Sequence, residues 1–235
     1  MDNVYHIMRK ELKSYFNSPI AYIMLIVFLL ISGWFFSYDY FIMGQATMVK
    51  LFVTVSFIMI LFVPALTMKL ISEEKKSGTL ELLVTMPLTD KQIIIGKFMS
   101  AYAMLSIAMV LTLVNMFTVY FTGSPDSGVV FSGYLNLFLL GAAYTAIGVF
   151  ASSVTDNQIV AFILSFFIIF FLFIIGKLLI FLPSSLAGIL EYISVDYHFE
   201  NMLRGVIDTR NLLYYFSIIF LGIFGAVLSL ERRKV

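Results

Sequence analysis

The residues able to do chemistry are few in this chain, and their spacing excludes most of what they could do. The two histidines, His6 and His198, stand far apart, and there is no cysteine. Zinc and iron sites need several His, Cys, Asp or Glu ligands converging on one point, and no such spacing is present. The lack of cysteine excludes disulfide staples, thiolate nucleophiles and a lipoprotein anchor. ATP hydrolysis calls for a phosphate cradle of the form Gly-x-x-x-x-Gly-Lys-Ser/Thr. The Gly-Lys pairs are Gly96-Lys97 and Gly176-Lys177, and each lacks both the upstream glycine and the following hydroxyl residue. No pairing of a nucleophile with a base stands out. The chain reads as a non-enzyme with no metal site and no cofactor of its own.

The elements that hold these residues are set by composition. Of 235 residues, 61% are hydrophobic and only 12% charged, with a mean hydropathy of +0.99. A soluble domain carries about 25% charged residues, so this chain lacks the charge to cover a water-facing surface. Soluble, disordered and nucleic-acid-binding classes are excluded, and a net charge of +1 implies no polyanion partner. A bilayer core about 30 Å thick needs roughly 20 apolar residues of helix. Six stretches qualify, near residues 20–38, 51–70, 95–121, 131–152, 158–182 and 212–230. Residues 162–175 are apolar throughout, without the alternation of a barrel strand. The first stretch is too long for a signal peptide and no small-residue cleavage site follows it. An all-α membrane protein of six spans is expected, forming one domain.

Lys and Arg set the orientation. With the N-terminus inside, Arg9, Lys10, Lys13, Lys69, Lys75, Lys76, Lys91, Lys97, Arg232, Arg233 and Lys234 are cytoplasmic, while Lys50, Lys177, Arg204 and Arg210 are outside. Both termini are then cytoplasmic. The span centres hold no Asp, Glu, Arg or His, which weighs against an ion-coupled carrier. Thr54, Ser56, Asn115, Asn136, Thr145 and Ser165 read as helix–helix hydrogen-bonding groups rather than a polar pathway. Pro64 is expected to kink span two, and Lys177 to snorkel to the outer interface.

The inner loop carries the strongest local signals. Glu73 to Lys76 is a mixed charge run broken by Gly78, after which Thr79 can cap a short helix. On that helix Leu80, Leu83 and Val84 share one face, Glu81 lies in the first turn where the helix dipole favours a carboxylate, and Pro87 ends it. Thr89 with Gln92 then forms a capping box, and Leu88 with Ile93 a hydrophobic staple, so the chain returns into span three past Gly96 and Lys97. A plain charged loop would satisfy the charge rule equally. A short punctuated helix with exposed apolar residues also has the form of a docking element for a cytosolic partner.

The string Glu73 … Ser77-Gly78-Thr79-Leu80-Glu81-Leu82-Leu83 … Pro87 … Gly96-Lys97 resembles the signature of ABC-2 type transporter permeases. The stretch from Arg9 to Phe16 is similar to the interfacial helix that precedes their first span. The outer segment from Tyr197 to Asp208 is similar to the piece before their last. The pattern most resembles the branch with the gliding-motility and nitrous-oxide-reductase maturation permeases. The resemblance covers essentially the whole chain. It implies a multi-pass subunit of the bacterial cytoplasmic membrane in which the inner loop is a coupling helix seated on an ATPase. It further implies two copies of that separate ATPase, holding the ATP and Mg, and a second permease, identical or homologous, to complete the pathway.

Outside, residues 186–193 and 199–207 repeat apolar positions at helical spacing, giving two short amphipathic helices too short to span. They cap the bundle or, as the resemblance implies, form an outer gate with Phe199, Met202, Gly205 and Val206. Glu191, Asp196, Glu200 and Asp208 read as solvated face and caps. The implied function is export driven by the partner ATPase. The alternative is mechanical or assembly work on a periplasmic partner with no solute crossing, as the gliding-motility branch suggests.

Overall fold

The structure is a computed structural model, and it describes residues 2–44, 47–79, 88–123, 125–178 and 184–232. Its described part is built from helices. α1 is Asp2–Asn17 and α2 is Pro19–Ser37, the latter running on as a π turn over Tyr38–Ile42. α3, Val49–Thr67, is followed after one turn residue by α4, Lys69–Lys76. α5, Asp90–Leu111, and α6, Leu113–Thr122, are likewise nearly continuous. α7 is Ser127–Val154, α8 Gln158–Leu178, α9 Ser184–Ile193, α10 Val195–Met202 and α11 Thr209–Glu231. Six of the resulting units are long and apolar enough to cross a membrane.

Helix starts follow local chemistry. Ser18 caps α2 by accepting from Ile20 N, and Pro19 fills the first position, where a missing N–H costs nothing. Asp126 caps α7 and Asp208 caps α11 in the same way. These polar caps extend several helices past the apolar stretches legible in the sequence.

The 28-residue α7 is the axis of the bundle, with the largest buried share of any span. α11, α3, α8 and α5 pack around it, the pair with α11 being the most extensive. Within a bilayer, helices associate through close backbone approach rather than by exclusion from water. Gly222 of α11 shows this: a Cβ there would lie 2.8 Å from the carbonyl carbon of Ala146. Gly222→Val should therefore lower stability by about 1–3 kcal/mol, seen as a fall in Tm in mild detergent, whereas Gly33→Ala, with open space around it, should leave Tm unchanged.

Pro64, where a kink is expected, lies inside α3, and the helix pauses four residues later, at Met68. Ser152 of α7 fits that pause. Its Oγ accepts from the Ile71 and Ser72 amides at 3.0 and 3.1 Å and donates to the Met68 carbonyl at 2.9 Å. The backbone groups released by the break are thus satisfied by a neighbouring helix.

Candidate functional site

At the foot of the bundle, α4 ends in a defined turn. Ser77 N donates to the Glu73 carbonyl at 2.9 Å, and Gly78 N to the Lys75 carbonyl at 3.3 Å. Gly78 then adopts φ +72°, the left-handed conformation that glycine provides at helix ends. Thr79 Oγ1 lies 2.9 Å from Ser77 Oγ. Glu73, Gly78 and Thr79 are thus at the end of α4, where the chain departs into the inner loop. Leu80, Glu81, Leu83 and Pro87 lie outside the described residues.

The chain reappears at Leu88, and Thr89 and Gln92 form a reciprocal capping box. Gln92 N donates to Thr89 Oγ1 at 3.3 Å, and Thr89 N to Gln92 Oε1 at 3.1 Å. One turn on, α1 lies directly across Gly96, where a Cβ would meet Ile7 Cγ2 at 2.7 Å. Ile7 and Gly96 therefore set how closely α1 rides on α5.

Lys97 is only 1% exposed. Its ammonium lies 2.8 Å from Glu74 Oε1, 3.2 Å from Glu11 Oε1 and 2.6 Å from the Leu70 carbonyl oxygen. Three donors meet three acceptors, and the contact ties α1, α4 and α5 into one block. Nearby, the Tyr15 hydroxyl donates to the Leu66 carbonyl at 2.9 Å, and the Lys69 ammonium sits 5.3 Å from the Tyr15 ring centre. Burial, with the Glu11 charge adding to it, pushes the Tyr15 phenol well above its ordinary range, so this hydroxyl stays a donor. Lys75 reaches the Ser153 carbonyl, fastening α4 to the inner end of α7 as Ser152 does one residue earlier. A polar cleft of about 300 Å³ opens beside the block, between α1 and α4, lined by Lys10, Ser14, Glu73 and Ser77 among others.

Glu11, Glu74 and Ser152 were not anticipated as functional residues. One signal pointed to the first two: Lys97 sits in an apolar run, Ile93-Ile94-Ile95-Gly96-Lys97-Phe98-Met99, and a buried lysine requires a partner.

At the outer end, Ser194 caps α10 by accepting from Tyr197 N at 3.2 Å. Phe199 and Met202 are buried, Gly205 turns the chain at φ +84°, and Val206 is 65% exposed. The four residues expected at an outer gate therefore divide: Phe199 and Met202 pack inward, and the other two belong to the surface turn before α11. Asn136, deep in α7, donates to the Phe199 carbonyl at 2.9 Å and accepts from the Tyr215 hydroxyl at 2.8 Å. Asn136→Ala leaves both groups without that partner, at a cost of about 1–3 kcal/mol, and hydrogen exchange over residues 195–203 should accelerate accordingly.

Asp196 and Glu200 are more than solvated face. Both pair with Lys177 at the end of α8, at 2.8 and 2.9 Å, and Asp196 is only 8% exposed. Burial pushes the Asp196 carboxyl above its ordinary range against the opposing pull of Lys177. His198 stacks on Tyr214 with ring centres 4.0 Å apart, and its Nδ1 lies 2.7 Å from Asn211 Oδ1. The outer helices are thus fixed to α7, α8 and α11.

Between these two ends, α2, α3 and α8 border a lateral groove of about 660 Å³, walled by residues such as Ile23, Val27, Phe57, Leu61 and Phe62. Among the described residues no cluster of three or more metal-ligating side chains occurs.

A bundle of six apolar helices with an amphipathic N-terminal helix, a charged foot and short helices at the opposite end defines a polytopic membrane protein. The family profile described as ABC-2 family transporter protein matches residues 5–228. The chain belongs to that family and is an ABC-2 type permease. It has no significant sequence match among curated proteins.

Proposed function

We propose that this chain is the membrane subunit through which a separate ATPase drives export across the bacterial cytoplasmic membrane, both its termini being cytoplasmic. The observation that carries this reading is the Lys97 block. Work done on a loop is transmitted only if the loop is anchored to something stiff. Here the helix leading into the inner loop (α4), the helix leading out of it (α5) and the interfacial helix α1 meet at one buried ammonium.

In this reading, residues 73–87 with Leu80, Glu81, Leu83 and Pro87 dock on the ATPase, which binds ATP and Mg. ATP-driven closure of two such ATPases moves α4, and the pause at Met68 lets α4 swing relative to α3 while Ser152 exchanges its backbone partners. ATP can shift the bundle only by its differential binding to the two conformations. One bundle supplies one wall of a pathway, so a second permease, identical or homologous, faces it, and the groove between α2, α3 and α8 is this chain's contribution. Phe199 and Met202, both buried, close the outer end.

The test is affinity purification of the chain from mild detergent with an ATPase assay of the eluate. A stoichiometric P-loop ATPase, lost when residues 78–81 are replaced by a Gly-Ser stretch, is the expected result. A chain that elutes alone with no nucleotide-dependent activity would overturn the reading.

A further inference from the structure

The lateral groove has a polarity that its apolar walls alone do not explain. Along α2 its lining runs from Ile23 to Phe35, about 18 Å at 1.5 Å per residue, slightly more than half the thickness of a bilayer core. The lining charges all lie at its outer end: Lys177, Asp196 and Glu200. Two carboxylates share one ammonium there, so the mouth carries one excess negative charge. Asp196 is held inside, but the Glu200 side chain is 57% exposed and touches Lys177 through Oε1, leaving room for a second donor. Phe173, under the Lys177 ammonium at 5.9 Å, and Phe199 complete an aromatic rim suited to cations.

We propose that the groove binds an amphiphile with a protonated amine head group, its chain against Val27, Phe57 and Leu61 and its ammonium on Glu200 in competition with Lys177. The competition gives the head group an action. An ammonium that takes Glu200 leaves Asp196 as the remaining ion pair between α8 and α10, so loading of the groove weakens one of the two ties on the outer helix. Anionic head groups of equal chain length meet net repulsion, and a neutral hydroxyl offers Glu200 one hydrogen bond without charge. The inference rests on the permease reading for its purpose, but the binding stands on the geometry of this chain.

The shared chemistry, an ammonium on an apolar tail, has two sources: a free long-chain amine and a phosphatidylethanolamine lipid. The experiment places the chain with its co-purifying ATPase in phosphatidylglycerol nanodiscs doped with equal fractions of hexadecylamine, hexadecanol or palmitate. Retained probe is counted by native mass spectrometry, and a fourth sample carries phosphatidylethanolamine instead. Retention of the amine about tenfold above the other two, falling to their level in Glu200→Gln, is expected. Retention of phosphatidylethanolamine as well identifies the lipid source, and retention of hexadecylamine alone the free amphiphile. Equal retention of all three probes, or preference for palmitate, overturns the proposal, and this comparison needs no variant. Retention of none, with Phe57→Cys cross-linking between two copies in high yield, overturns it by assigning the face to a second chain. ATPase co-elution is read on the same sample, so a failure of head-group selectivity is distinguishable from a failure of the permease reading.

Discussion

Lys97→Met should destabilise the complex by about 3–5 kcal/mol, the cost of removing one partner from a buried ion pair and leaving the other charged. The figure follows from what stays behind. Glu11 and Glu74 are about 15% exposed at the side chain, and without the ammonium they repel each other across the junction of α1 and α4. Glu11→Gln and Glu74→Gln should each cost less, because one carboxylate still balances Lys97. The triple variant Lys97→Met with Glu11→Gln and Glu74→Gln should recover much of the loss, since neutral groups of similar volume replace a buried ion pair at little net cost. Tm in mild detergent across the four variants checks this. Recovery in the triple variant separates charge imbalance from a cavity, which would persist. In the complex, Lys97→Met should also break the link between ATP hydrolysis and movement of the bundle, because α4 loses its attachment to α5.

The second large effect is expected at Gly78 and is conformational rather than steric. A Cβ there has open space around it, yet φ is +72°. A β-branched residue is strained in that region by roughly 1–2 kcal/mol. The turn relieves the strain by changing course, which redirects everything that follows. Gly78→Val should therefore leave the Tm of the bundle within a degree or two of wild type while reducing ATP-coupled activity at least about tenfold. Gly78→Asn should retain most of the activity, because asparagine tolerates the left-handed region. Equal loss in both variants would indicate a contact at this position rather than a backbone requirement.

The spans were legible because hydropathy integrates over some 20 residues and is insensitive to detail. Their ends were less so: Asp126 and Asp208 are polar, and as caps they lengthen α7 and α11 beyond the apolar runs. The Thr89–Gln92 box was legible because both partners lie within one turn. Lys97 with Glu11 was not, since the two are 86 residues apart and nothing local sets their distance. Ser152 was invisible for the same reason, its partners Ile71 and Ser72 lying some 80 residues away. Asp196 and Glu200 looked like solvent-facing charges because their partner, Lys177, sits at the end of a span and seemed accounted for by snorkelling. Helical periodicity reports which face a residue occupies, and only the packed fold reports what that face meets.

If ATP binding outside this chain rearranges the membrane bundle within it, the packing between α3 and α8 changes with nucleotide. Phe57 of α3 and Phe173 of α8 both line the groove and meet edge-on with ring centres 6.0 Å apart, and the chain has no cysteine to interfere with labelling. Spin labels on Phe57→Cys and Phe173→Cys, in the complex reconstituted with its ATPase, report that separation by dipolar broadening of the continuous-wave electron resonance spectrum. One distance distribution is expected without nucleotide, a second with ATP trapped, and no difference between the two when Gly78→Val is added. A distribution that is the same in all states while ATP is being hydrolysed would contradict it.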